Sequence, residues 1–131
     1  MGDRLIMSTR DFNPIKKAEA YLYRAKVIKV VDGDTVDLDI DLGFSLSFTQ
    51  RFRLYAINAP EMKGESKEAG KASKAFLEEM IKGKEVLIRT YKDEQGKYGR
   101  YMAYIYSYDD EVCINDVMVI RGYAVKYMEQ L

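Results

Sequence analysis

Four charged residues in three separated blocks of the chain could together act on a phosphate ester. They are Asp34, Arg53, Glu61 and Arg100, in the blocks 31–35, 53–61 and 97–100. Carboxylates supply the hard oxygen ligands that Ca²⁺ prefers, and a carboxylate can also accept a proton from an attacking water. Guanidinium groups bind phosphate oxygens through two parallel hydrogen bonds. These residue types are therefore suited to the hydrolysis of a phosphodiester.

The composition narrows the chemistry that is available to such a site. The chain has no histidine, which is the commonest general base and the usual zinc ligand, so catalysis must depend on carboxylates, arginines, tyrosines, water and a metal. Cys113 is the single cysteine, so it has no disulfide partner within the chain. Basic and acidic residues both number 21, and the zero net charge provides no overall attraction to nucleic acid.

The length and the apolar content bound the organisation of the chain. With 131 residues and 47% hydrophobic residues, we expect a monomer with an N-terminal arm at 1–20 and a single domain at 21–131. The first residues lack the apolar run of a signal peptide, and no stretch of about 20 apolar residues could span a membrane. The sequence as written indicates a cytoplasmic protein with no membrane partner, whereas a trimmed signal would make it secreted.

Three predicted β-strands come first, at 21–31, 35–42 and 52–57, with a turn at 32–33 and a connection over 43–50. The second strand alternates strictly between apolar residues and aspartates, which is typical of a half-buried strand. This period of two favours a solvated strand face for Asp37, Asp39 and Asp41 over an acidic patch that serves the site.

Helical spacing follows over 66–82, where Ser66 can cap the start and Gly83 can end the helix. Two further strands are predicted at 85–91 and 100–106, and a short second helix at 114–121. The strands look antiparallel. The element order predicts a mainly β, α+β protein: a five-stranded Greek-key barrel of the OB-fold type, with a helix between strands 3 and 4 and a short helix after strand 5.

The charged blocks resemble the staphylococcal nuclease family, the thermonucleases, over roughly residues 24–126. Asp-Gly-Asp-Thr and Lys-Tyr-Gly-Arg are weak motifs individually, but in order, with Phe-Arg-Leu and Pro-Glu between them, they are specific. The resemblance implies a metal-dependent nuclease, typically using calcium, that cleaves DNA and RNA and leaves 3′-phosphate ends.

The resemblance also implies roles by position. Asp34 matches the first metal-ligand aspartate, and Arg53 and Arg100 match the two arginines that bind the scissile phosphate. Glu61 matches the glutamate usually assigned to activate the attacking water, either as a general base or by positioning water and metal. The implied catalytic residues are thus Arg53, Glu61 and Arg100.

Asn58 departs from the family pattern. The best-known member has a second aspartate ligand at this position, followed by a threonine that lends its backbone carbonyl; here the pair is Asn58 and Ala59. An amide oxygen can still coordinate Ca²⁺, so the implied metal ligands are Asp34, Asn58, Ala59 and Glu61. Because calcium affinity depends on the number of charged ligands, we expect one weakly bound ion.

Four further residues are candidates for substrate binding. Lys97 could contact a phosphate, and Tyr98 and one of Tyr123 and Tyr127 could bond a phosphate or stack on a base. Because 11 of the 131 residues are tyrosine, core packing or surface filling accounts better for any one of them, and only Tyr98 stands out as a candidate. The expected partner is single-stranded DNA, RNA or frayed duplex DNA.

Two other functions agree with parts of the sequence. A non-catalytic OB-fold domain that binds nucleic acid would keep the barrel, and Asn58 favours it. A protein-interaction module would show no metal requirement and no salt-sensitive DNA binding. The joint presence of Arg53, Glu61 and Arg100 favours the calcium-dependent nuclease.

The substitution Asn58→Asp is expected to tighten Ca²⁺ binding, because it restores a carboxylate to the implied ligand set. Isothermal titration calorimetry of the two proteins measures the difference. Equal or weaker affinity in the variant would contradict the placement of Asn58 in the metal site.

Overall fold

A computed structural model of the chain describes residues 20–92 and 101–127. The predicted arm lies outside this part except for Ala20, and Lys97, Tyr98 and Arg100 lie outside it as well. The strands are β1 (Leu22–Asp32), β2 (Thr35–Gly43), β3 (Leu46–Leu54), β4 (Ile57–Asn58), β5 (Glu85–Lys92), β6 (Tyr101–Ser107) and β7 (Val125–Lys126), and the α-helices are α1 (Lys67–Ile81) and α2 (Ile114–Ile120).

Five strands form a closed barrel in the order β1, β2, β3, β6, β5, and β4 pairs with β7 as a separate two-stranded sheet. The predicted barrel is confirmed, with α1 between its third and fourth strands and α2 after its fifth. The expectation of antiparallel strands is wrong for one pair, because β3 and β6 run parallel over residues 52–54 and 101–103. The chain leaves β3, crosses through α1 and β5, and returns as β6 in the direction of β3.

The third strand is longer than the sequence pattern predicts. The strand begins at Leu46, and residues 46–53 pair with β2. Most of the predicted connection over 43–50 is therefore part of a tight β-hairpin. The turn is formed by Phe44 and Ser45, both at positive φ. Residues 41–49 are all exposed, and this exposure explains why no half-buried alternation marks the start of the strand.

The alternation of β2 sorts its side chains between core and solvent as expected. Val36, Leu38 and Ile40 are buried in the barrel. Their aspartate neighbours face outward, and the β1 residues opposite them are basic, as in the pair of Lys26 with Asp39. On the other side, Asp37 accepts two hydrogen bonds from the Arg51 guanidinium, at 2.8 and 3.2 Å. The aspartates therefore belong to a charge-compensated outer surface.

Helix α1 closes one side of the barrel. Leu77 and Ile81 are buried in the core, and the hydroxyl of Ser73 donates to the carbonyl of Tyr123. Gly83 ends the helix at φ +73°, a left-handed conformation that glycine adopts without a steric penalty. Within the described ranges, neither helix combines the length and apolar character that a membrane span needs.

A buried asparagine of α2 forms hydrogen bonds to the backbone of the barrel next to the end of β3. The Asn115 side-chain oxygen accepts from the Ile105 N–H at 3.0 Å. Its amide nitrogen donates to the carbonyls of Tyr55 at 2.9 Å and Ala103 at 3.1 Å. One side chain thus joins β6 to the chain segment that follows β3, and no buried polar side chain among the described residues lacks a partner.

We expect Asn115→Ala to lower the free energy of unfolding by about 3 kcal/mol, because three backbone groups would each lose a hydrogen bond in or beside the core. Chemical denaturation measures this change. Ile120→Ala is the matched control: this side chain of the same helix is 78% exposed, and its removal should change stability by no more than about 0.5 kcal/mol. Equal stability of both variants would contradict the role of Asn115.

Candidate active site

The turn between β1 and β2 places Asp34 at the start of a strand and against α1. Asp32 caps the turn, because its carboxylate accepts from the Asp34 N–H at 3.0 Å. Gly33 is packed so closely that an added Cβ would lie 2.6 Å from the Ser73 Cβ and 2.8 Å from the Ala59 Cβ. A side chain at this position would push apart the elements that fix Asp34.

The carboxylate of Asp34 is buried, with 8% of the residue exposed, and it is held by donors from three directions. One oxygen accepts from the Ala59 N–H at 2.9 Å and lies 3.7 Å from the Arg53 guanidinium. The other accepts from the Thr35 hydroxyl at 3.1 Å. The pKa of Asp34 is raised to about 6, first by burial and then by a hydrogen bond with Asp32, while the Ala59 N–H and Arg53 act in the opposite direction.

Arg53 brings the other candidate residues together. It lies on β3 opposite Thr35, and its two apolar neighbours on that strand point into the core. Its Nη2 donates to the side-chain oxygen of Asn58 at 2.8 Å, and its guanidinium carbon lies 5.2 Å from the centre of the Tyr127 ring. Arg53 is therefore the point where Asp34, Asn58 and Tyr127 meet.

A short turn after β3 carries Asn58 back toward Arg53. Ala56 adopts a left-handed conformation at φ +64°, and its carbonyl accepts from the Tyr127 N–H at 2.8 Å. Asn58 pairs with Val125 in the β4–β7 sheet. The C-terminal strand thus fixes both the candidate ligand Asn58 and the tyrosine that covers Arg53.

The loop that carries Glu61 is docked on the start of α1. The Ser66 hydroxyl donates to the carbonyl of Glu61 at 2.7 Å, and it makes no side-chain capping bond to the helix, contrary to the expected cap. A Cβ on Gly70 would collide with the Glu61 carbonyl, so this helix glycine permits the close approach. The backbone of Glu61 is fixed two residues after Ala59, and its side chain is exposed.

Two side-chain oxygens of the candidate ligand set lie close together. The side-chain oxygens of Asp34 and Asn58 converge on one nitrogen, the Arg53 Nη2, at 3.7 and 2.8 Å. Oxygen donors of this kind suit Ca²⁺. In the part of the chain that the structure describes, however, no three His, Cys, Asp or Glu side chains come together as a metal cluster. These two oxygens alone do not complete a calcium site, so an ion held here would also need backbone carbonyl and water oxygens.

The two tyrosines that the sequence could not separate lie in different surroundings. Tyr127 packs over Arg53, as described above. Tyr123 stacks on Phe76 of α1, with ring centres 4.3 Å apart, and its carbonyl accepts from Ser73. Core packing thus accounts for Tyr123, and Tyr127 is the tyrosine placed beside the candidate site.

Several residues that shape the site were not singled out from the sequence. The Thr35 hydroxyl binds Asp34, and the Ile57 carbonyl lies 3.5 Å from the Arg53 Nη2. Gly70 and Ser73 bring α1 against the two loops. Thr35 could have been found from its place in the Asp-Gly-Asp-Thr block, whereas the helix residues carry no local signal of their contacts.

Comparison with known proteins identifies the family of the chain. The family model "Staphylococcal nuclease homologue" matches residues 51–130. An uncharacterized protein of Methanocaldococcus jannaschii is 30% identical over 130 residues, covering 81% of this chain and 60% of its own length. The thermonuclease of Staphylococcus hyicus is 30% identical over 84 residues, covering 62% of this chain and 47% of its own length. The chain spans about half to three fifths of these relatives, and it belongs to the staphylococcal nuclease family.

The raised pKa of Asp34 predicts a pH-dependent stability. The folded state holds this proton more tightly than the unfolded state does, so the stabilisation is fully present below about pH 4 and is lost as the pH rises through about 6. Asp34→Asn should therefore raise the free energy of unfolding at pH 8, by up to about 3 kcal/mol, and change it little at pH 4. Denaturation in the presence of a chelator tests this; a variant that is less stable at pH 8 than the parent would contradict it.

Proposed function

We propose that this domain is a nuclease that hydrolyses phosphodiester bonds of DNA or RNA by attack of water and leaves 3′-phosphate ends. The observation that carries the proposal is the convergence of Asp34 and Asn58 on the Arg53 guanidinium, in a chain that belongs to the staphylococcal nuclease family. The whole-protein activity of the thermonuclease relative supports the same reaction class.

Arg53 is the proposed binder of the scissile phosphate. The ring of Tyr127 lies over its guanidinium and Asn58 accepts a hydrogen bond from its Nη2, so the side chain already lies at the site before a phosphate arrives. A guanidinium in a fixed position stabilises the negative charge that grows on the phosphoryl oxygens in the transition state. Arg100 is proposed as the second arginine, with Lys97, Tyr98 and Tyr127 contacting the substrate strand.

Glu61 is the proposed group that positions or deprotonates the attacking water. Its backbone is fixed by Ser66 and by the close approach of Gly70, while its side chain is exposed and can face a bound strand. With no histidine in the chain, a carboxylate next to the phosphate is the remaining group of suitable basicity.

Calcium is the proposed metal, held by Asp34, Asn58 and the carbonyl of Ala59, with Glu61 nearby. When bound, the ion would supply positive charge to the phosphate and favour ionisation of water. The Asp34 carboxylate is prepared for this role because the Ala59 N–H fixes one of its oxygens.

An alternative is a non-catalytic domain that binds nucleic acid through the same barrel. Two observations favour it: Asn58 supplies no charge, and no cluster of three acidic side chains or other metal-binding groups converges among the described residues. The same Arg53 would then bind a phosphate without cleavage.

Cleavage of labelled single- and double-stranded DNA and RNA, with Ca²⁺, Mg²⁺ or a chelator, separates the two functions. We expect cleavage that requires Ca²⁺, products with 3′-phosphate ends, and a rate about 10²- to 10³-fold lower for Arg53→Ala and for Glu61→Gln. The matched controls are Arg51→Ala, which removes an exposed arginine of the same strand, and Glu65→Gln in the same loop; both should retain the parent rate.

Undiminished turnover by Glu61→Gln or Arg53→Ala would contradict the mechanism. Binding without cleavage under every metal would establish the alternative.

A further inference from the structure

A groove on the outside of the barrel, away from Asp34, combines apolar, aromatic and charged walls. It has a volume of about 290 Å³ and is lined by Leu22, Leu87, Arg89, Tyr106 and Glu111. The strand register explains the arrangement, because Leu22 lies opposite Arg89 on β5, and Leu87 lies opposite Tyr106 on β6. Val86, Ile88 and Ile105 are buried in the barrel, so the groove residues between them face outward.

The groove has the chemical features that a nucleobase requires. Leu22 and Leu87 offer apolar surface to the flat ring, and Tyr106 offers an aromatic face. Arg89 can donate hydrogen bonds and Glu111 can accept them. Among the described residues, no carboxylate lies within ion-pair distance of Arg89. The carboxylate of Glu111 in the same groove disfavours a phosphate there, and favours a neutral ring with polar edges.

The groove is connected to the candidate active site by the strand register. Arg53 lies opposite Met102, and Met102 lies opposite Tyr91. Arg53 and Tyr91 therefore occupy one row around the closed barrel, two strand spacings apart, about 10 Å measured along the curved sheet. The next outward row along β5 begins two residues away, about 7 Å, at Arg89. A strand bound at Arg53 would reach the groove within a few nucleotides.

Stacked tyrosines fill the surface between the two places. The Tyr55 and Tyr91 rings are stacked with centres 4.5 Å apart, and Tyr104 meets both edge-on at 5.2 and 5.9 Å. Tyr104 lies 6.4 Å from Tyr106 in the groove. All four rings are partly exposed, so an aromatic path runs from the row of Arg53 to the groove. Aromatic rings of this kind bind the bases of single strands with little sequence preference.

We propose that the groove seats one nucleobase of a single-stranded nucleic acid whose phosphate lies at Arg53. The proposal rests on the proposed function only for the placement of that phosphate, and it adds a second contact a few nucleotides away. It makes the substrate a strand of several nucleotides, because a dinucleotide at Arg53 does not span the distance.

Binding of fluorescent single-stranded DNA in the presence of a chelator tests the groove independently of cleavage. Arg89→Ala and Tyr106→Leu should weaken binding of an octanucleotide at least about fivefold in anisotropy titrations, and Tyr106→Phe should restore it because the ring is kept. Binding of a dinucleotide should not change. Lys82→Ala is the matched control: it removes one positive charge from the far end of α1, where the side chain is 61% exposed.

If Arg89→Ala and Tyr106→Leu both bind the octanucleotide as tightly as the parent does, the proposal that the groove binds a nucleobase is overturned. Equal weakening by Lys82→Ala would also overturn it, because the effect would then be one of general charge. If the parent does not cleave nucleic acid but the groove variants still bind the octanucleotide more weakly, the proposed nuclease activity is rejected and the proposed base site in the groove is supported. Hydrolysis of bis(4-nitrophenyl) phosphate, which has no bases, should be the same in the parent and Arg89→Ala.

Discussion

The site depends on the buried carboxylate of Asp34 and on the donors that compensate its burial. Removing a carboxylate from water is unfavourable, and the raised pKa of Asp34 expresses that cost. The compensation comes from Thr35 on β2, Arg53 on β3 and the Ala59 N–H after β4. Because these donors belong to different elements, the carboxylate is held only when the barrel, the following turn and the C-terminal strand are all in place.

In the proposed reaction, the present contacts of Arg53 with Asn58 and Asp34 compete with its contact to the phosphate. In the structure it binds the Asn58 oxygen and lies beside Asp34, which are the two groups proposed to hold a cation. A bound cation and a phosphate would together replace these contacts, with the cation at the oxygens and the guanidinium at the phosphate. The amide oxygen of Asn58 is less negative than a carboxylate oxygen would be, and this weakens the attraction of a doubly charged cation more than that of the singly charged Arg53. This predicts a site in which cation and substrate support each other's binding.

The sequence predicts the parts of the structure in which chemistry and periodicity agree. The alternation of Val36, Leu38 and Ile40 with aspartates predicts both the strand and its outer face. The order of the elements predicts the barrel. The exposed half of β3 carries no such alternation, so the sequence pattern does not predict the full length of this strand. Asn115 could not be recognised, because a polar residue in a short helix gives no sign that it joins two strands. Whether Tyr123 or Tyr127 lies beside Arg53 depends on how α1 packs, which a local pattern does not contain.

Asp34, Asn58 and Arg53 are proposed to form one site for a cation and a phosphate. A crystal structure of the protein with Ca²⁺ and a single-stranded phosphorothioate oligonucleotide that resists cleavage tests it most directly. We expect a calcium ion about 2.3–2.6 Å from oxygens of Asp34 and Asn58, and the guanidinium of Arg53 on the adjacent phosphorothioate. A bound oligonucleotide that leaves Arg53 on Asn58 and Asp34, with no ion between them, would contradict it.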